Sequence, residues 1–307
     1  MALSKILPAS QEQYAGARNL IINGGFQVWQ RSEDKENTSN SWAYWSVDRF
    51  QSNKGRFRKT TDTVDGRTVN VLQIDPSSGV YNGGRGVFTM LEDYNAYDKP
   101  TVLSVYIKAD AATTADIGQL YDYGGSSMVS AGTTVNITTS WQRFEVQYSA
   151  QTFSQAAGHY IINALVDGRT YYVAMAQLET GTQATPFEHR SYGDELRRCK
   201  RYYYRTPTGQ PYQRQCVLTG RNSNKTDGVF ILPESMRSQP TFSKSGTMSV
   251  EGNTTKSISS ITLSTNASST DRVRLYVTSA SGLTAGYSYF MFNSNDANAY
   301  LDFDAEL

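Results

Sequence analysis

The sequence predicts an all-β protein in which two β-domains are joined by one short helix. Three observations carry this prediction. Several segments alternate apolar and polar residues with a period of two, and glycine-containing turn motifs separate them. The composition agrees: of 307 residues only 19% are charged, and the 38% counted as apolar includes 21 tyrosines. Ser, Thr, Asn and Tyr fill the difference, as is typical of β-proteins with many polar turns.

The charge balance and the length of the apolar runs exclude two classes of protein. Twenty-nine Lys and Arg residues against 28 Asp and Glu residues give a net charge of +1, so the basic excess of a nucleic-acid-binding protein is absent. Apolar runs are short, and residues 1–10 lack the apolar core of a signal peptide. We therefore expect no membrane insertion and no export signal. The two cysteines, Cys199 and Cys216, are expected to be free thiols.

Residues 1–17 have too few apolar side chains to form a core element. Two interpretations stay open for them, a frayed terminus and a short attachment arm. Domain boundaries are predicted at 1–17 for the arm, 18–190 for the first β-domain, 191–205 for a helical connector and 206–307 for a smaller C-terminal β-domain.

Strands are predicted in the first domain wherever one face is apolar. Leu103, Val105 and Ile107 share one face of segment 101–108, and segment 142–148 alternates in the same way. Segment 171–178 is apolar on both faces, which is typical of a covered central strand. Tight turns are predicted at 64–67, 81–84 and 166–169.

One segment has a helical period instead. Ser191 or Asp194 is available as an N-cap, and Pro207 would end the helix. The apolar residues at helical spacing are Tyr192, Leu196, Cys199 and Tyr203. We expect the basic run that follows position 196 to face solvent.

In the C-terminal domain, strands are predicted at 272–277 and 287–292 by the same alternation. Segment 243–270 is rich in Ser, Thr and Asn, so its strands should be polar on both faces. Such strands specify their register weakly and expose their edges, and this favours an oligomer.

No catalytic motif is present, and we predict no enzymatic activity. Nucleotide-binding glycine loops, the G-x-S-x-G nucleophile motif and H-E-x-x-H are all absent. His159 and His189 are the only histidines, and neither has a local signature of a triad or a metal site.

The aromatic residues are more informative. Trp29 and Trp141 lie beside alternating strand residues and are expected in the core. Segments 41–46 and 121–125 concentrate rings next to polar residues and have loop character. Such rings offer an apolar platform for the C–H face of a sugar, while the alternative is that they cap the sandwich ends or line a subunit interface. The candidate sugar-binding residues are Trp42, Tyr44, Trp45, Tyr121, Asp122 and Tyr123.

Several blocks, in order, carry a family resemblance over residues 18–205. They are NLIINGGFQVWQR at 19–31, VDRF at 47–50, SWQRF at 140–144, AQLETGTQATPFEHR at 176–190, YGDEL at 192–196 and CKRYY at 199–203. Together they resemble the jelly-roll, carbohydrate-binding-module-like domain of tail fibres and other virion proteins of tailed bacteriophages.

This resemblance implies a jelly-roll β-sandwich followed by the helix and a second, smaller β-sandwich, a homotrimer, and no catalysis. It implies that Asn23 and its two following glycines turn the chain, that Trp29 fills the core, and that segment 177–179 runs beside the first strand. No cofactor is predicted, although a structural calcium ion is possible in this family, with Asp48 and Glu179 as the available carboxylates.

The resemblance also implies a function. We expect a virion protein, synthesised in the cytoplasm of a bacterial host, that contacts other virion proteins through its N-terminal arm and adheres to bacterial surface polysaccharide. Two alternatives stay open: a purely structural capsid-decoration or collar protein that binds no sugar, and a polysaccharide depolymerase.

Overall fold

Strands form almost all of the regular secondary structure, as the sequence predicts. The computed structural model describes residues 18–39, 41–76, 86–91, 94–123, 127–153 and 156–306. The chain divides into an N-terminal unit, Met1–Glu195, and a C-terminal unit, Leu196–Leu307. This division falls inside the connector predicted at 191–205. The predicted arm at 1–17 and the turn at 81–84 lie outside the described residues.

The N-terminal unit is a β-sandwich. Its described strands are β1 Asp34–Asn37, β2 Phe50–Ser52, β3 Gly55–Val64, β4 Arg67–Asp75, β5 Val87–Leu91, β6 Thr101–Ala109, β7 Thr113–Ile117, β8 Gln119–Asp122, β9 Ser127–Ser130, β10 Thr133–Ile137, β11 Gln142–Tyr148, β12 Ala157–Ile162 and β13 Tyr171–Thr180. One sheet has the order β1-β3-β4-β13-β6-β11, the other β2-β5-β12-β8-β9, and β7 pairs with β10. All the pairings are antiparallel. A short 3₁₀ helix spans Tyr94–Asp98.

The core of this unit is formed by the inward faces of these strands. Leu103, Val105 and Ile107 of β6 are fully buried in it, which confirms the face predicted from their alternation. Each such side chain contributes about 1.5–3 kcal/mol when it is removed from water. Strand β13 lies between β4 and β6, so the segment that is apolar on both faces is a central strand, as predicted.

Backbone geometry explains the turn predicted at 64–67. Asp65 and Gly66 connect β3 to β4 with φ angles of 50° and 72°. Two successive positive φ angles define the type I′ hairpin turn, whose twist matches that of the strands. Asp and Gly tolerate this conformation better than residues with bulky side chains.

Asn23 organises the segment before β1. Its side-chain amide donates to the carbonyl oxygens of Val28 (2.9 Å) and Asp48 (3.0 Å), and its Oδ1 accepts from the backbone N–H groups of Gln27 (2.9 Å) and Val28 (3.0 Å). A Cβ on Gly24 would lie 2.0 Å from the carbonyl oxygen of Ala176. The Asn-Gly-Gly segment therefore turns the chain tightly against β13, as the resemblance implies.

The two ends of the N-terminal unit are joined by a set of side chains that we call the clasp: Asn19, Glu188, Arg190 and Glu195. Glu188 accepts from the backbone N–H of Asn19 at 2.8 Å and from Arg190 at 2.8 Å. Arg190 also donates to Glu195 at 2.9 Å, and Glu195 accepts from the backbone N–H of Asn23 at 2.5 Å. The backbone bond from Leu20 to Leu178 (2.8 Å) lies beside the clasp.

The helix is shorter than predicted. Helix α1 spans Tyr192–Lys200, and Ser191 caps it by accepting from the backbone N–H of Asp194 at 3.1 Å. Residues 203–205 form strand β14, Tyr203–Arg205, which corrects the helical connector predicted at 191–205. These residues pair with a strand at 302–304, and that long-range pairing overrides the helical spacing.

In the C-terminal unit the expected β-sandwich takes the form of a closed sheet. After β14 the described strands are β15 Arg214–Gly220, β16 Lys225–Ile231, β17 Thr241–Ser245, β18 Ser249–Glu251, β19 Thr255–Leu263, β20 Arg272–Ser279, β21 Ser288–Phe292 and β22 Tyr300–Asp304. Six of them close in the order β15-β16-β20-β19-β18-β21, and β14-β22-β17 form a second sheet. A 3₁₀ helix spans Thr265–Ala267. Strand β20 buries Val273, Leu275 and Val277 as predicted.

The two tryptophans expected in the core have different environments. Trp29 is 8% exposed and belongs to the main core, where its Nε1 donates to the carbonyl oxygen of Phe26 at 2.7 Å. Trp141 is half-buried and packs against a separate cluster around Val71 and Ala174. Val71 in β4 and Ala174 in β13 alternate with residues of the main core, so their side chains point to the outer face of the six-stranded sheet. Trp141 packs on that outer face, and the prediction that it lies in the core is wrong.

No helix within the described ranges is long and apolar enough to cross a membrane. In the described residues no disulfide joins Cys199 and Cys216, and burial raises the pKa of the Cys216 thiol to about 12.

Candidate functional site

The outer face of the five-stranded sheet carries a cluster of aromatic rings. Along β12, Ala157 and Ile161 point into the core, so alternation turns Gly158 and Tyr160 outward. Tyr160 lies opposite Phe88 of β5, and Gly158 lies opposite Tyr121 of β8. Since partners in register share a face of the sheet, three neighbouring strands present rings on the same side.

The rings contact one another closely. Phe88 is buried and forms the floor, with its centroid 4.9 Å from Tyr160 and 5.3 Å from Tyr123. Tyr121 meets Tyr123 edge-on at 5.1 Å. Trp42 meets Tyr160 edge-on at 5.3 Å and Phe88 at 6.2 Å. We call these five residues the aromatic face. Tilted and edge-on pairs at such distances are the favoured aromatic geometries.

Gly158 allows this packing. A Cβ at position 158 would lie 2.3 Å from Cζ of Phe88 and 2.7 Å from Cε2 of Tyr123. Both rings therefore occupy the space above the glycine, and any side chain at this position would displace them.

The hydroxyl of Tyr123 lies among other phenols. Burial raises the pKa of this hydroxyl well above 10, and the neighbouring Tyr160 and Tyr121 raise it further, Tyr160 also through a hydrogen bond. The phenol is therefore neutral throughout the physiological range. Tyr123 is nevertheless 40% exposed, so part of its side chain is accessible to a ligand.

The structure brings together most of the candidate residues in segment 41–46. An antiparallel bridge between Ala43 and Ser52 holds this segment against β2, which places Trp42 on the aromatic face. Tyr44 lies beside it, under the guanidinium of Arg31 at 5.4 Å, and it contributes to the raised pKa of Tyr123.

Two candidates are not part of this arrangement. Trp45 makes no ring contact with the described aromatic residues. Its buried Nε1 has no hydrogen-bond partner in the described part of the chain. Asp122 lies opposite Ala157, whose side chain is in the core, so alternation turns the carboxylate away from Tyr121 and Tyr123. Tyr121 and Asp122 also belong to strand β8, not to a loop as predicted.

Sequence reasoning missed Phe88 and Tyr160. Both lie in short segments in which most residues are apolar, so the sequence does not show which side chains point into the core and which point outward. Only the pairing of β5 and β8 with β12 shows this. Two amide side chains share the face with them: Gln51 lies opposite Phe88, and Gln119 lies opposite Tyr160. The face therefore combines rings with groups that both donate and accept hydrogen bonds.

Neither histidine has the surroundings of a catalytic group. His159 is fully buried between the rings of Tyr97, stacked at 5.6 Å, and Tyr148, edge-on at 5.2 Å. Burial lowers the pKa of His159 from 6.5 to about 3. Neither ring nitrogen has a hydrogen-bond partner among the described residues. His189 packs edge-on against Phe187 at 5.0 Å, and burial lowers its pKa, with Arg67 as a second cause.

The two carboxylates that the resemblance implies for calcium are held by protein donors. Asp48 accepts from the backbone N–H of Gln30 at 3.0 Å and lies 3.8 Å from the guanidinium of Arg31. Glu179 accepts from the backbone N–H and the hydroxyl of Thr185, each at 2.7 Å. These surroundings do not fit a calcium site. In the described part of the chain, no group of three or more His, Cys, Asp or Glu side chains could hold a metal ion.

Comparison with solved structures finds similarity to carbohydrate-binding modules. A CBM4 module aligns over 52% of this chain and 98% of its own, with 17% identity and a TM-score of 0.33. The CBM22-1 xylan-binding domain of Xyn10C from Paenibacillus barcinonensis aligns over 55% and 100%, with 14% identity and a TM-score of 0.35. The enzymatically active domain of tailspike protein 4 from bacteriophage CBA120 aligns over 53% and 21%, with 14% identity and a TM-score of 0.33.

No protein-family model and no curated protein matches the sequence.

Proposed function

We propose that the protein binds a glycan through the aromatic face of its N-terminal unit. The observation that carries this proposal is a set of partly exposed rings, Trp42, Tyr121, Tyr123 and Tyr160, assembled around the buried ring of Phe88 on one sheet face. Exposed aromatic rings grouped in this way mark a binding surface. Sugars fit such a surface because their C–H faces are apolar while their edges carry hydroxyl groups.

Polar groups beside the rings would complete the recognition. The hydroxyls of Tyr160 and Tyr123 and the amides of Gln51 and Gln119 lie on or beside the aromatic face, on elements held in the sheet. Each of these groups can donate and accept hydrogen bonds, which is the chemistry that sugar hydroxyls require. Because the strands are rigid, little conformational freedom is lost on binding.

The biological setting we propose is the surface of a bacteriophage particle. There the protein, made in the host cytoplasm, would adhere to bacterial surface polysaccharide and attach to other virion proteins through residues 1–17. The motif resemblance supports this setting. A homotrimer would present three glycan sites together, so weak single-site affinity would become useful through effective concentration.

A second candidate, a structural virion component that binds no sugar, is favoured by one observation. Exposed apolar residues follow neighbouring strands on the outside of the C-terminal unit: Phe290 lies opposite Val217, Val229 is 52% exposed, and Ile231 is 78% exposed. A surface of this kind is typical of a contact between subunits. Light scattering at several protein concentrations would measure the association that it predicts.

The double variant Trp42→Ala/Tyr123→Ala tests the proposed function. We expect glycan affinity to fall by at least about 30-fold, since truncating a central aromatic contact costs about 2 kcal/mol or more. The measurement is binding of labelled protein to bacterial cells and to their extracted surface polysaccharides.

Tyr287→Ala is the matched control, because Tyr287 is a 58% exposed ring in the C-terminal unit and its loss should leave binding unchanged. Thermal unfolding of each variant separates lost binding from lost folding. Folded wild-type protein that binds none of the cells would favour the structural component. Binding that survives the double substitution would exclude the aromatic face as the site.

A further inference from the structure

A second candidate site, which is concave, lies on the C-terminal unit, on the outside of the closed sheet. It is a cavity of about 520 Å³ formed over β16, β20 and β19 and bounded by the turn that joins β15 to β16. This volume falls within the roughly 300–1,000 Å³ of small-molecule sites. The lining side chains are Arg221, Asn222, Lys225, Thr226, Thr262, Tyr276, Val277 and Thr278.

The cavity is positively charged. Its lining contains two cations, Arg221 and Lys225, and no carboxylate among the described residues. Lys225 is exposed, and its ammonium group has no ion-pair or hydrogen-bond partner in the described part of the chain. In a protein whose net charge is only +1, such a local excess of positive charge favours an anionic ligand.

The arginine is held in place by its neighbours. The guanidinium of Arg221 lies 5.5 Å from the ring centroid of Tyr276, and its Nε lies 3.8 Å from Oδ1 of Asp227. Arg274 approaches the same ring at 5.0 Å and donates to Asp227 at 2.7 Å through its Nε. Arg274 makes the closer ion pair with Asp227 and balances the charge of that carboxylate. Asp227 therefore orients Arg221 without neutralising the positive charge that Arg221 brings to the cavity.

The turn that carries Arg221 is also rigid. The backbone N–H of Arg221 donates to the carbonyl oxygen of Lys225 at 2.8 Å, and Oδ1 of Asn222 accepts from the backbone N–H groups of Asn224 (3.0 Å) and Lys225 (2.9 Å). These bonds fix the two cations on either side of one tight turn. Sites built from groups that are already ordered bind at a smaller entropic cost.

The remaining lining is rich in hydroxyl groups. Thr262 lies opposite Tyr276, and Thr278 lies opposite Lys225, so alcohol groups follow the floor of the cavity beside the cations. A hydroxylated ligand would exchange hydrogen bonds with them, whereas a bare inorganic anion would use only the charges.

We propose that this cavity binds an anionic sugar unit, whose carboxylate or phosphate is bound by Lys225 and Arg221 and whose hydroxyls contact Thr262 and Thr278. The site is independent of the aromatic face, which belongs to the other unit. Its ligand would differ in charge from the neutral sugars that a face of rings and amides accommodates.

Calorimetric titration of the full chain tests the proposal with trigalacturonate, glucose 6-phosphate, maltotriose and inorganic phosphate. We expect at least one anionic sugar to bind, with an affinity that weakens as salt is raised. Lys225→Gln and Arg221→Gln should each weaken binding at least tenfold, and maltotriose should show no binding that depends on these two residues. Comparison of the affinities for trigalacturonate and glucose 6-phosphate shows whether the site prefers a carboxylate or a phosphate.

Arg272→Gln is the matched control. Arg272 is an exposed arginine of β20, the strand that supplies Tyr276 and Thr278 to the cavity, but Arg272 itself does not line the cavity and pairs with Asp271 at 2.8 Å. Binding in this variant, and in Trp42→Ala/Tyr123→Ala, should equal that of the wild type. The proposal fails if neither anionic sugar binds, if both cavity substitutions leave binding unchanged, or if Arg272→Gln weakens it equally. Inorganic phosphate that binds as tightly as the sugars would show a simple anion site instead.

Discussion

Asn23→Ala is expected to destabilise the N-terminal unit by about 4 kcal/mol. The fully buried Asn23 side chain makes four hydrogen bonds to backbone groups, and its loss leaves several of those groups without a partner. Each unsatisfied buried group costs about 1–3 kcal/mol. The residue also has a φ of 61°, a conformation in which alanine is disfavoured by about 1–2 kcal/mol.

Urea unfolding followed by tryptophan fluorescence measures this change, because all four tryptophans of the chain lie in the N-terminal unit. Asn23→Gly is the matched control: it loses the same hydrogen bonds but tolerates the positive φ. We expect its destabilisation to be smaller than that of Asn23→Ala by about 1 kcal/mol. A glycine variant as stable as the wild type would show that the four hydrogen bonds contribute nothing.

The second large effect is a loss of stability in acid that originates at His159. Its folded-state pKa, about 3, is below the 6.5 of an unburied histidine, so the unfolded chain binds the proton more readily. The stabilisation is therefore complete above pH 6.5 and is lost progressively as the pH falls towards 3. Between pH 7.5 and pH 4 this loss amounts to about 3 kcal/mol.

Unfolding free energies of wild type and His159→Leu, measured across that range, isolate this contribution from the titration of carboxylates. The packed neighbours of His159, Tyr97 and Tyr148, stay neutral there because burial raises the pKa of both phenols. We expect the wild type to lose about 3 kcal/mol more than His159→Leu. His189→Asn should keep this loss because His159 is intact in it, and it should lack only the smaller part that the lowered pKa of His189 contributes. Parallel curves for wild type and His159→Leu would contradict the prediction.

Much of the fold follows from local sequence patterns. Period-two alternation locates β6, β11 and β20, and Asp65-Gly66 specifies its hairpin, because each signal depends only on neighbouring residues. The end of α1 does not follow from such a pattern. Residues 203–205 continue the helical spacing but pair with β22, and a pairing partner about one hundred residues away leaves no local trace. Closure of the C-terminal sheet is likewise a property of all six strands together.

The candidate site was accessible to sequence reasoning only in part. Clustered rings identified Trp42 and Tyr123, since aromatic density can be read directly from the sequence. Phe88 and Tyr160 escaped because only the register of β5 with β12 places them together. The sequence predicts Asp122 beside the rings as a hydrogen-bond acceptor for sugar hydroxyls, yet it follows Tyr121 directly, and neighbours on a strand face opposite sides.

The clasp has a mechanical consequence. Asn19 at the beginning of the unit and Arg190 and Glu195 at its end meet in one corner, so a pull on both ends of the chain is applied at that corner. Tension would first load the clasp and the backbone hydrogen bond between residues 20 and 178, which would open one after another. Strands β5, β8 and β12 are outside this load path, so the sheet that carries the aromatic face would stay intact until the clasp had opened.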